Sequence, residues 1–119
     1  MGNVAQAPIL GFIGDKFDKD KQHYEIPQDI ADIIFNELKD QSVKIRLMLV
    51  LIGTKEGWGV SEQWLLQRTG ITHSSYTRAR RELIEKGWLV VGKIEGGMNI
   101  IQVDFDAIRG KREKIDVAP

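Results

Sequence analysis

The sequence predicts a mainly α fold with one small β-hairpin, an α+β chain organised as a single folded domain. Three observations carry this expectation. Apolar residues recur at helical spacing in four stretches between residues 27 and 86, the period changes to two after Gly87, and Gly96-Gly97 sits in the middle of the period-two stretch. A chain of 119 residues can bury one core without disulfides or metal.

Ile9 to Ile13 has the composition of a short strand, and DKFDKDKQ after it is polar. Residues 1–25 are therefore expected to be a partly ordered N-terminal arm. Asp15, Asp18 and Asp20 suggest a calcium loop, but the Gly and distal Glu of that motif are missing, so a solvated loop is the expectation and no metal is assigned. Pro27 is placed to open the first helix, in which Ile30, Ile33, Ile34 and Leu38 share a face, with Asp29 in the first turn and Lys39 in the last. Ser42 is the expected N-cap of a second helix, Val43 to Thr54, apolar almost all round in its second half. Ser61 caps a third, Glu62 to Arg68, with Leu65, Leu66 and Thr69 inward. Gly70 supplies a left-handed turn, Thr72 caps a fourth helix from His73 to Lys86, and Gly87 closes it. Tyr76, Ala79 and Leu83 form its inner stripe, and the stem of Arg80 covers the core beside them.

A type I′ turn at Gly96-Gly97 pairs Glu95 with Met98. That register sets Trp88, Val90, Gly92 and Ile94 on one face with Phe105, Val103, Ile101 and Asn99. Lys93, Glu95, Gln102 and Asp104 take the other face. A brief helical turn is expected near Ala107 and Ile108, with 109–119 a flexible tail and 26–108 the domain proper. Trp58 and Trp64 can anchor a partner, but packing residues are the expectation for both.

Composition narrows the function classes. Without cysteine there is no disulfide or thiolate metal site, and a reducing interior suits the chain. The N-terminus MGNVAQAPILGFIG lacks a basic region before its apolar residues. The longest apolar run, Leu47 to Ile52, is too short to cross a bilayer. A cytoplasmic protein with no membrane partner is expected. Two histidines, no phosphate-cradling Gly loop and no nucleophile–base arrangement leave nothing to support catalysis, so no enzyme and no cofactor are assigned. Net charge is zero, which opposes nonspecific binding to nucleic acid, but the charges are segregated. Eight acids against four lysines lie between Asp15 and Asp40, and five bases against Glu82 and Glu85 between Thr72 and Lys93.

Residues 61–88 order a short helix, a Gly turn and a helix rich in Arg and hydroxyl groups, as a helix-turn-helix that presents its second helix to the major groove of DNA. The hairpin behind it adds a wing. The run RTGITHSSYTRARRELIEKGWLVV resembles the winged-helix family of bacterial and phage regulators and replication initiators. The matching features are Gly70-Ile71-Thr72, His73-Ser74-Ser75, Arg78-Ala79, Glu82-Leu83 and Lys86-Gly87. The flanks YEIPQDI and IIQVDFDAI look like those of phage or plasmid replication-type winged helices, so that the resemblance spans roughly residues 24–108. It implies binding of double-stranded DNA by helix 73–86, in transcription regulation or replication initiation. The residues themselves point the same way. Thr72, Ser74, Ser75 and Thr77 can donate to phosphates or base edges, and Arg78 and Arg81 carry the fork that reads guanine. His73 is a further contact candidate, and Lys93 is the backbone candidate on the hairpin, with Glu95 beside it opposing phosphate. Against this, Arg78 and Arg81 lie four residues before Glu82 and Glu85, the spacing of surface ion pairs. A protein-interaction winged helix that does not bind DNA, such as a phage antagonist or replisome adaptor, is the alternative. A homodimer also fits, since such proteins often read paired half-sites.

Overall fold

The computed structural model describes residues 7–14, 26–93, 97 and 99–110. Among them, five helices and three strands follow in the order β1 (Ile9–Ile13), α1 (Gln28–Leu38), α2 (Ser42–Ile52), α3 (Glu62–Thr69), α4 (His73–Lys86), β2 (Leu89–Lys93), β3 (Asn99–Asp104) and α5 (Phe105–Ile108). This is an α+β fold with a small mixed sheet.

Local chemistry explains the helix ends of the α3–α4 pair. The Ser61 side chain accepts a hydrogen bond from Trp64 N at 3.0 Å, and Thr72 accepts from Ser75 N at 3.3 Å. Each satisfies one of the donors that a helix start leaves without an intrahelical partner. Gly70 and Gly87 adopt φ of 74° and 87°, which a side chain would strain. The α1–α2 ends depart from expectation. The first helix starts one residue after Pro27, and Lys39 lies beyond its last turn with φ of 33°. Ser42 is the first residue of α2 rather than its cap, which falls at Gln41 with no side-chain bond, and α2 stops at Ile52.

Ile30, Ile34 and Leu38 of α1 pack with Leu47, Met48 and Leu51 of α2, Leu65 of α3, and Tyr76, Ala79 and Leu83 of α4 in one core. The sheet closes it. Strand order is β1-β3-β2, with β1 parallel to β3 and β2 antiparallel to it. The strand expected at Ile9 to Ile13 is present and joins the sheet, and Leu10 within it is buried. The free edge of β1 is taken by residues 57–60: Leu10 N donates to Trp58 O, Gly57 N to Leu10 O and Val60 N to Pro8 O, all within 2.8–2.9 Å. Asp104 then caps α5 by accepting from Ala107 N at 3.0 Å. Phe105 at the start of α5 stacks on Phe12 of β1 with ring centroids 5.7 Å apart.

The β2–β3 register differs by one residue from the expected one. Leu89 pairs with Val103, Val91 with Ile101 and Lys93 with Asn99. The expected alternation counted from Trp88 as an inward residue. In the structure Trp88 N still donates to Leu83 O at 3.1 Å, so Trp88 completes the helix exit, and both Trp88 and Leu89 are buried. Leu89, Ile101 and Val103 then share a face with Leu10 and Phe12 of β1. That third strand decides the frame, because only this register puts the apolar residues of all three strands on one side. Val90 turns outward, and Lys93 moves from the face of Gln102 to the face of Leu89 and Val91. Asp104, expected on a solvated face, is 1% exposed as the cap of α5. The turn placed at Gly96-Gly97 and the pairs built on Ile94, Glu95 and Met98 lie outside the described residues, as do the acidic loop at 15–20 and residues 111–119 of the tail.

Two substitutions test this arrangement. Leu10→Ala is expected to lower unfolding stability in urea by about 2–5 kcal/mol, the cost of a core deletion. A residue in a peripheral arm would change it by less than about 0.5 kcal/mol. Val90→Lys is expected to stay within about 0.5 kcal/mol of wild type, whereas Leu89→Lys abolishes folding. The opposite ranking would restore the register centred on Trp88.

Candidate functional site

Helix α4 carries the candidate residues, and its rotational setting follows from burial. With Tyr76, Ala79 and Leu83 pinned inward, Ser74, Thr77, Arg78 and Arg81 form an exposed row on the opposite side. Thr72 and His73 are exposed at its start, and Ser75 is half-buried toward the α1–α2 turn. Four of the expected hydroxyl groups thus stand within the first two turns. Two already make a local bond: Thr72 Oγ1 holds Ser75 N, and Thr77 Oγ1 donates to His73 O at 3.0 Å.

The ion pairs around α4 decide which charges are available. Glu82 is held by Lys44 of α2, with Nζ 2.6 Å from Oε1. Lys86 reaches Glu37 of α1 at 3.2 Å and lies 4.9 Å from the Trp88 ring centroid. His73 Nε2 sits 2.6 Å from Glu62 Oε2, joining the starts of α3 and α4. The local pairing that the i,i+4 spacing of Arg78 and Glu82 allows is therefore replaced by a pair between helices. Among the described residues neither Arg78 nor Arg81 has an ion-pair or hydrogen-bond partner. His73, by contrast, is committed to Glu62 and is less free to meet a ligand than the sequence implied.

Lys93 is exposed at the end of β2. Its corrected face is that of Val91, which borders a cavity with Tyr76, Thr77 and Arg80 of α4. The hairpin lysine therefore lies on the side of the sheet turned toward α4, although its neighbour Glu95 is outside the described residues. A second cleft, of about 260 Å³, runs between the α1–α2 turn and α4, where Asp40 and Lys44 face Ser75, Arg78 and Glu82. Arg78 thus borders a cleft with a carboxylate across it, while Arg81 stands clear.

Two features were not read from the sequence. Arg80 was placed over the core by its stem, but its half-buried side chain lines the cavity of about 400 Å³ between α4 and the sheet, with Tyr76 and Asn99. The available signal was Tyr76 itself, a hydroxyl inside an otherwise apolar stripe, which needs a polar neighbour. Trp58 was expected to pack, yet it is 54% exposed, because residues 57–60 are held to β1 through backbone bonds that leave its ring outside. Trp64 is half-buried. Among the described residues no helix is long and apolar enough to cross a membrane, and no three metal-ligating side chains come together.

Charge pairing perturbs two carboxyls. The Lys44 ammonium donates to Glu82 and holds its carboxyl below the ordinary value of 4.5, with Arg78 and Arg81 adding a weaker pull in the same direction. Arg109 does the same to Asp29 across the α1–α5 contact, where Nε lies 2.7 Å from Oδ2. A carboxyl depressed on folding stabilises the folded state in full above its unfolded value, and that contribution is lost as pH falls through the folded value. Wild type is therefore expected to be more stable than Glu82→Gln at pH 7 and to lose that advantage as the pH drops below about 4.5. Urea midpoints measured for both proteins at pH 7 and pH 3 check this. A difference that does not shrink with acid would show that the Lys44–Glu82 pair contributes through packing alone.

Comparison with protein-family models, with curated proteins and with solved structures gives no match to this chain.

Proposed function

We propose that the chain is a winged helix-turn-helix protein that binds double-stranded DNA, laying α4 in the major groove and β2–β3 as the wing beside it. One observation carries the reading. The exposed row Ser74, Thr77, Arg78 and Arg81 keeps two guanidinium groups without an ion-pair or hydrogen-bond partner among the described residues, while Glu82, four residues after Arg78, is taken up by Lys44. An unpaired arginine fork on a rigid, capped helix is the group that reads guanine O6 and N7, and adjoining hydroxyls suit phosphate oxygens. Lys93, exposed at the end of β2, is the residue we assign to the backbone of the same duplex. Transcription control and replication initiation both use this geometry. The role within either is set by the DNA site, which selection would identify.

A protein-interaction role is the second reading. It is favoured by Phe35 and Trp58, 50% and 54% exposed, and by the acidic first helix. Aromatic side chains left in water are typical anchors for a partner protein. Such a module would take its partner on those residues and leave α4 in solvent.

Selection of bound duplexes from a random library, at low and at physiological salt, tests the proposal. An enriched site with binding that falls steeply with salt is expected, because phosphate contacts release counterions. Arg78→Ala and Arg81→Ala are each expected to cost about 1–3 kcal/mol and to relax one base position. Lys93→Ala is expected to weaken all sequences alike and lower the salt slope by about 1. No enrichment and no retention at low salt would overturn the DNA reading. Nuclease-insensitive recovery of one stoichiometric partner, abolished by Trp58→Ala, would put the second reading in its place.

A further inference from the structure

The cavity between α4 and the sheet holds polar groups that neither the fold nor the proposed DNA contact uses. It is a partly open cleft of about 400 Å³, within the size range of small-ligand sites. Pro8, Val60, Val91 and Ile101 give it apolar walls from four separate segments, so its shape is set by the tertiary fold rather than by one loop. Into it face Arg80 and Tyr76, one helical turn apart on α4, and Asn99 from β3. Among the described residues the Arg80 guanidinium, the Tyr76 hydroxyl and the Asn99 amide have no side-chain hydrogen-bond or ion-pair partner. Arg80 is half-buried and Tyr76 is 6% exposed, so neither is a group that simply waves in water.

Three convergent polar groups beside apolar walls make an orienting site for a small molecule. The charge selects its sign. Arg80 is a permanent cation with a planar fork that matches a carboxylate, and Tyr76 and Asn99 both donate hydrogen bonds. Glu62 also borders the cavity, but its Oε2 is held by His73 at 2.6 Å at the start of α4. Burial is what most raises the Tyr76 hydroxyl above its ordinary value, with Arg80 lowering it and Glu62 raising it, so the phenol stays protonated and able to donate. The geometry points to a binding site for a small organic carboxylate with an apolar body, its acid group on Arg80, Tyr76 and Asn99 and its body against Val91 and Ile101. This site shares Thr77 with the exposed row, but Arg80, Tyr76 and Asn99, which define it, are not among the residues assigned to DNA.

Phenylacetate is a suitable probe, with phenylacetamide as the uncharged match and acetate as the match without a body. Titrated into the isotope-labelled chain, phenylacetate is expected to shift backbone amide resonances of Tyr76, Arg80, Val91, Asn99 and Ile101 together and saturably. Phenylacetamide and acetate are each expected to bind at least tenfold more weakly. Arg80→Gln is expected to weaken phenylacetate binding by at least tenfold while keeping the spectrum of a folded chain. Val91→Glu, a change at an exposed rim position, supplies a second variant with the same expected loss through charge repulsion. Shifts confined to Arg78 and Arg81, equal binding of the amide, or no effect of either variant would overturn the site. So would an absence of saturable shifts, even if Arg80→Gln weakened binding to a duplex, since Arg80 would then be a phosphate contact.

Discussion

The structure depends on β3 being paired on both sides. Its neighbours come from opposite ends of the chain: β1 from residues 9–13 and β2 from residues 89–93. Parallel pairing of β1 with β3 closes a long loop, an entropic cost that only burial can offset. Leu10 supplies that burial from the first strand, and Ile101, Val103 and Phe105 supply it from the third strand and its exit. Once β3 is fixed, Asp104 is placed to cap α5, the Phe12–Phe105 stack closes one end, and Leu89 has only one frame in which to meet Val103. The distance between the sheet and α4, and hence the cavity that separates them, follows from the same constraint.

The helical half of the fold was legible because its rules are local. Ser61, Gly70, Thr72 and Gly87 each act on residues within four positions of themselves, and the bounds of α4 can be read from them without tertiary information. The inner stripe of Tyr76, Ala79 and Leu83 then fixed which side of α4 is exposed. The hairpin register was not local. Two strands alone suggest an alternation that starts at Trp88, whereas β1, far away in sequence, determines the buried face. The exposure of Trp58 was hidden for a related reason: hydropathy reports what a ring prefers, while the backbone bonds of Gly57 and Trp58 to Leu10 determine where it goes.

The ion pairs distribute charge more than they stabilise. Exposed pairs are worth roughly 0–1 kcal/mol each, and Glu37, Glu62 and Glu82 are all at least a third exposed. Their more consistent effect is on which charges remain unneutralised. Each of these acids is met by a base from another helix, and in every case α4 supplies one partner. Lys86 and His73 of α4 are consumed in this way and Lys44 takes up Glu82, so the remaining charges of α4 are Arg78, Arg80 and Arg81 against Glu85. The zero net charge of the chain therefore says little about the surface around α4, where arginine rather than the sum sets the field.

Those three arginines do not form one patch. Successive residues on a helix are separated by about 100° around its axis. Arg81 lies opposite the buried stripe, Arg78 is turned toward the α1–α2 cleft, and Arg80 is turned toward the sheet. A straight polyanion lying along the exposed row can reach Arg81 and Arg78 with Ser74 and Thr77. To reach Arg80 it would have to enter the cavity, past Val91 and Asn99. The half-burial of Arg80 and its polar neighbours Tyr76 and Asn99 thus separate it chemically from the other two, although all three belong to one run of sequence. A single helix, held in place by its caps and its buried stripe, presents one charged face to bulk solvent and another to a partly open cleft against the sheet.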